Sequence, residues 1–237
     1  MKLPRLHRVR LAVLGIVLGL AGCSGEATPQ RYFPLAPGYH WQYRIERTTM
    51  DGTQRIRQAV WTVAVPATLD VSGMRETLGG QRLLYVDDGD GIERLQTQRT
   101  GGPRNAPQRV TVLPATLVVG TQWHQPAVTT VLENTGPPWE TLFRISVPVE
   151  LEYRIESLAA SVDTPAGHFD DCLLVTGRGQ AQADVGNYIG RTMVEIEVRE
   201  WYAEDVGLVR MERDEKTGAA ALSAGRLVME LDTWSDD

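Results

Sequence analysis

The sequence predicts an all-β or nearly all-β protein, built as a curved antiparallel sheet, half-barrel or sandwich of roughly nine to twelve strands with few short helices. Three observations carry this. Apolar residues recur at every second position in several segments, Asp- and Gly-rich turns fall between such segments, and the 3.6-residue period of an amphipathic helix is weak beyond residue 22.

In chain order, residues 1 to 10 contain Lys2, Arg5, Arg8 and Arg10 and no acid, and Leu11 to Leu20 is an apolar run. A permanent membrane span needs about 20 apolar residues. The segment therefore reads as the basic and hydrophobic regions of a cleaved signal, residues 1–22. The tetrad Leu20-Ala21-Gly22-Cys23 resembles the bacterial lipobox. That resemblance implies diacylation of Cys23, cleavage before it, and palmitate-type acyl chains on the new N-terminus. A thiolate is the nucleophile such acylation requires, which Ser24 could not supply. One acyl chain binds a membrane only marginally, whereas two hold it stably, so the expected anchor lies on the membrane without spanning it. With Ser24 following the cysteine, the resemblance implies sorting to the outer membrane of a Gram-negative cell, facing the periplasm.

Residues 23–31 are mostly small and polar after the cysteine and read as a flexible tether, with one β-rich domain over 32–237. Within it, Phe143 to Ile155 is the clearest alternating segment. Phe143, Ile145, Val147, Val149, Leu151, Tyr153 and Ile155 fall on one face, while Pro148 marks an edge, bulge or bend. Trp41-Tyr43-Ile45, Ala59-Trp61-Val63-Val65, Val110-Val112, Val194-Ile196-Val198 and Leu227-Met229-Leu231 alternate likewise. Asp87 to Gly91, Thr164 to Gly167 and Ala203 to Gly207 are the predicted hairpin turns, and Leu158 to Val162 and Gly218 to Leu222 the short helical candidates.

Composition narrows the partners. Without residues 1–22 the chain keeps 20 basic against 30 acidic residues, about −10 in net charge. So acidic a domain does not suit nucleic acid, nor adhesion to an anionic leaflet through a basic patch. Membrane attachment is left to the lipid on Cys23. Once that residue is lipidated Cys172 is the sole thiol, so no intramolecular disulfide is available, and its apolar setting marks it as a small buried side chain.

Tyr32-Phe33-Pro34-Leu35-Ala36-Pro37-Gly38-Tyr39-His40-Trp41-Gln42-Tyr43 resembles the opening of the TapB-like bacterial envelope proteins. Val162 to Val175, with Thr164-Pro165-Ala166-Gly167 and Cys172, and Trp201 to Val209 resemble two later blocks of the same group. The resemblance implies a β fold and carries no catalytic motif. The aromatics Trp41, Tyr43 and Trp201 are expected to fill the sheet face or to line a ligand groove.

Chemistry-bearing patterns are sparse. Asp88-Gly89-Asp90-Gly91 lacks the first and last ligands of a calcium loop, because Val86 and Thr97 occupy those places. His168, Asp170 and Cys172 share a face if extended, yet form too small a set for a built metal site, and His40 and His124 stand beside tryptophans. Glu150 and Glu152 read as a solvated face, and Gly177-Arg178-Gly179 lacks the strand-to-helix setting of a nucleotide loop. Neither a Gly-x-Ser-x-Gly elbow nor a His-Glu-x-x-His pair occurs. The expectation is a non-enzymatic, membrane-anchored envelope protein without cofactor or metal, binding an apolar ligand such as a lipid, or an envelope protein partner, on a curved sheet. A purely structural or assembly role, and a hydrolase without a recognised motif, are the alternatives.

Overall fold

A computed structural model describes residues 27–67, 69–96, 108–136, 141–185 and 190–236. Cys23 and the expected signal lie outside them. The described chain opens with one helical turn, α1 (Pro29–Tyr32). Six strands follow: β1 (Tyr39–Thr49), β2 (Gly52–Val63), β3 (Gly73–Thr77), β4 (Arg82–Asp87), β5 (Gly91–Gln96) and β6 (Gln108–Pro114). Next come β7 (Gln122–Val128), the short pair β8 (Glu133–Gly136) and β9 (Thr141–Arg144), and the long β10 (Pro148–Thr164) and β11 (Gly167–Asp184). The described part closes with β12 (Arg191–Ala203), β13 (Gly207–Thr217), a 3₁₀ turn (Ala220–Leu222) and β14 (Ala224–Asp236).

Twelve strands form one antiparallel sheet in the order β6-β5-β4-β3-β2-β1-β14-β13-β12-β11-β10-β7, and β8 pairs with β9 apart from it. The two ends of the ribbon, β6 and β7, come into contact, so the sheet curls into a nearly closed barrel. A twisted sheet this wide cannot stay flat around one hydrophobic core. The all-β expectation holds, with a sheet at the upper end of the expected strand count and one extra hairpin.

Alternation decides which side chains enter the barrel. Along β10, Val149, Leu151, Tyr153 and Ile155 are buried while Glu150, Glu152, Arg154 and Glu156 are exposed. Along β12, Val194, Ile196 and Val198 are buried between exposed Glu195 and Glu197. These residues join Tyr85, Ile92, Leu113, Leu173 and Val175 in the main core. Burying one such aliphatic or aromatic side chain contributes about 1.5–3 kcal/mol. A second cluster gathers Trp41, Tyr43, Val162, Cys172, Val209 and Leu231. There the tip of the β10–β11 hairpin folds back, Ala166 N–H donating to Leu231 O at 3.0 Å.

The predicted turns at 87–91, 164–167 and 203–207 each join paired strands. Two expectations need correction. Leu158 to Val162 is strand within β10, because its weak helical spacing is overridden by pairing to β11 through a series of bulges. Phe143 to Ile155 is not one strand. It breaks at residues 145–147, where Ile145 N–H donates to Leu132 O and Val147 N–H to Thr129 Oγ1, and Pro148 then starts β10. Of the expected tether, residues 23–26 lie outside the described residues; Pro29 is buried, Arg31 pairs with Glu204 and Asp205, and Asp205 N–H donates to Arg31 O at 2.6 Å, against the β12–β13 turn. Gly218 to Leu222 does hold a helical turn, the 3₁₀ segment.

Candidate binding cavity

A partly open cavity of about 270 Å³ lies on the inner face of the sheet, walled by residues from Phe33 to Met229. Its walls mix apolar groups, among them Val60, Leu83, Val112 and Leu208, with Tyr43, Tyr85, Tyr202, Gln58, Gln125, Arg75, Arg94 and Glu200. An apolar chamber with a few convergent polar groups is the usual form of a small-molecule site.

Arg75, on β3, is the most unusual wall. It is only 7% exposed. Its guanidinium carbon stands 3.7 Å from the ring centroid of Phe33, 4.5 Å from that of Trp41 and 5.6 Å from that of Tyr85. Its Nη2 donates to Pro34 O at 2.9 Å, and its buried Nε has no hydrogen-bond partner. Burial pulls its pKa below the ordinary arginine value, against weaker opposing effects of Tyr85, Tyr43 and Tyr202. The Tyr32–Leu35 segment is thus a plug, placing one ring and one carbonyl against the cation.

Glu200 and Tyr202 stand two apart on β12 and so share the inner face. Tyr202 Oη donates to the Glu200 carboxylate at 2.8 Å. Burial pushes the Glu200 pKa up, while the Tyr202 hydrogen bond and the charges of Arg94 and Arg213 pull it down. Tyr202 is raised well above the usual phenol range, first by burial and then by Glu200.

The three expected aromatics separate. Trp41 is buried, its Nε1–H donating to Val206 O at 2.7 Å, and stands against the cavity only through Arg75. Tyr43 is a cavity wall, held by an Oη–H bond to Leu208 O at 2.9 Å. Trp201 lies between Glu200 and Tyr202 in sequence and therefore on the opposite face of β12, with the Arg199 and Arg210 guanidiniums each 6.0 Å from its ring centroid. Phe33, Arg75, Tyr85 and the Glu200–Tyr202 pair are walls that sequence reasoning missed. Glu200 had a signal, because the Val194-Ile196-Val198 alternation continued by one step puts it on the apolar face.

His168 sits between Asp163 and Asp170, at 2.7 and 3.1 Å, and these two hydrogen bonds raise its pKa. Cys172 is fully buried and takes no part with it, its thiol pushed up to about 11 chiefly by burial. Among the described residues no group of three or more His, Cys, Asp or Glu side chains is placed to hold a metal. Asp88 of the Asp-Gly-Asp-Gly turn is engaged by Arg109 and by Asp90 N–H. Gly177 and Gly179 are mid-strand residues of β11, packed against β10.

Residues 148–223, about a third of the chain, match the DUF3108-like family model. That stretch runs from β10 to the 3₁₀ turn and contains the Thr164–Gly167 and Ala203–Gly207 hairpins, whereas the Tyr32–Tyr43 block lies outside it. No curated protein matches the chain. Two solved structures are similar at low identity. One is a candidate lipoprotein of Parabacteroides distasonis, 12% identical, with 89% of this chain and 100% of that one covered and a TM-score of 0.39. The other is a candidate exported protein of Bacteroides fragilis described as having a YmcC-like fold, 14% identical, with 86% and 98% covered and a TM-score of 0.38.

Proposed function

We propose that this chain is a lipid-anchored, non-enzymatic protein of the bacterial envelope whose barrel holds a small, largely apolar ligand. The observation that carries the reading is the partly open 270 Å³ cavity on the inner face of the sheet, with Phe33 at its wall and both aliphatic and polar groups around it. The lipobox-like tetrad at Cys23 supplies the anchor, and Ser24 the outer-membrane address facing the periplasm. In this reading the TapB-like resemblance of the 32–43, 162–175 and 201–209 blocks is the finer form of the DUF3108-like match.

Native mass spectrometry of the full chain extracted from membranes tests this. The expected spectrum shows a stoichiometric small-molecule adduct beyond the mass of the N-terminal lipid. A protein free of adduct that also takes up no medium-chain amphiphile overturns the ligand reading. For the anchor, Cys23→Ser should remain unprocessed and unlabelled by palmitate, and normal labelling overturns it.

One observation favours partner binding as a second reading. β6 and β7 meet at the barrel seam without pairing, which leaves ladder groups on both strands for a visiting strand. Crosslinking from Gln108 and Gln122 in intact envelopes would identify such a partner.

A further inference from the structure

Resting on the ligand reading above, we infer that the occupant of the barrel chamber carries an anionic head group that pairs with Arg75. Buried charges in proteins are normally paired, because an isolated ion loses its hydration without return. Arg75 departs from that rule among the described residues. Among the described residues no carboxylate lies within ion-pairing distance of it, and its only hydrogen bond goes to the neutral Pro34 carbonyl. Glu200, the one carboxylate in the chamber's walls, is bonded to Tyr202, and the cations acting on it are Arg94 and Arg213.

The aromatic rings do not replace an anion. Phe33, Trp41 and Tyr85 stabilise the cation through their π faces but accept no conventional hydrogen bond there, and Nε–H is left without an acceptor. What they do is hold the guanidinium in place and dry. The guanidinium stands in the cavity wall, and its planar fork of N–H groups suits the oxygens of a carboxylate or phosphate. With Arg75 and Arg94 against Glu200, the chamber's walls sum to one positive charge when all three are ionised. Its aliphatic walls then receive the remainder of the ligand. At about 30 Å³ per water the cavity has room for roughly nine water-sized groups, enough for a head group and a medium chain.

The test titrates octanoate, octyl phosphate and octanol against the full lipidated chain in nanodiscs, with empty nanodiscs subtracted. One or both anions should bind about tenfold or more tightly than octanol, as a charge-assisted hydrogen bond in a buried site requires. The anion that binds more tightly identifies the head group. Arg75→Met should bring the anions to within about twofold of octanol, whereas Arg191→Gln, an exposed arginine away from the chamber, should keep the preference. Equal binding of octanol and both anions to the unmodified chain overturns the head-group inference while leaving the ligand reading intact. Binding of none of the three overturns both. Retention of the preference in a folded Arg75→Met also overturns the assignment to Arg75. Should Arg75→Met fail to fold, the anion-to-octanol ratio of the unmodified chain still decides.

Discussion

The ring of Tyr153 fills the space where Gly177, its register partner on the next strand, lacks a side chain. A Cβ at Gly177 would stand 2.9–3.0 Å from three ring carbons. On the other side, Trp123 pairs with the same tyrosine and stacks on it, ring centroids 5.5 Å apart and planes 22° apart. Gly177→Ala should therefore cost about 1–3 kcal/mol by overpacking. The measurement is the urea midpoint at unchanged slope. Gly218→Ala, which meets open space, should shift stability by no more than about 0.5 kcal/mol.

Glu215 on β13 is fully buried. It accepts hydrogen bonds from Thr130 N–H, Val131 N–H and Arg213 Nε, pinning the segment before β8 to the barrel. Glu215→Ala leaves the Arg213 charge and two amides without that acceptor, and a loss of about 3–5 kcal/mol is expected. Amide hydrogen exchange should show Thr130 and Val131 losing protection before the strands of the large sheet do.

Glu200 makes the stability pH-dependent with the opposite sign from an ordinary salt-bridged acid. Its folded pKa is raised by burial, so between the unfolded glutamate value and the folded value the native state binds more protons. The cost of Glu200 is absent below the unfolded pKa and grows as pH rises through the folded one. Urea midpoints of the unmodified chain and Glu200→Gln, compared from roughly pH 4 to pH 8, should diverge upward in favour of the variant. Constant separation across that range would remove Glu200 as the cause.

Cys172 is buried and its thiol is pushed up to about 11, so the folded protein holds almost no thiolate at neutral pH. Iodoacetamide should modify Cys172 only as fast as the chain opens, and the modified fraction, read by mass spectrometry, should track the urea unfolding curve.

Much of the barrel was legible because period-two alternation is a local signal. Val194 to Val198 and Val149 to Ile155 declare their faces without knowledge of the partner strand. The binding chamber was less legible because its key relations join distant segments. Nothing near Arg75 in Met74-Arg75-Glu76 distinguishes an inward arginine from a solvated one. Its surroundings come from Phe33 and Pro34 on the N-terminal plug, from Trp41 on β1 and from Tyr85 on β4. Glu215 was hidden in the same way, since an acid in the charged run Arg213-Asp214-Glu215-Lys216 looks solvated until residues 130 and 131 are brought to it. The helical reading of Leu158 to Val162 failed for a different reason. Bulges in β10 blur the alternation where that strand bends over the second core cluster.

The pairing of β1 with β14 makes the barrel's assembly order a consequence of its topology. Two meanders spread outward from this seam, one running from β1 to β6 and the other from β14 back to β10, so residues 50 to 223 separate the two central strands. A chain delivered from its N-terminus must keep one edge of β1 open until the last strand arrives. Closing so long a loop is slow, because its entropy is lost before the pairing returns any energy. Throughout that interval the exposed edge is a template for the wrong strand.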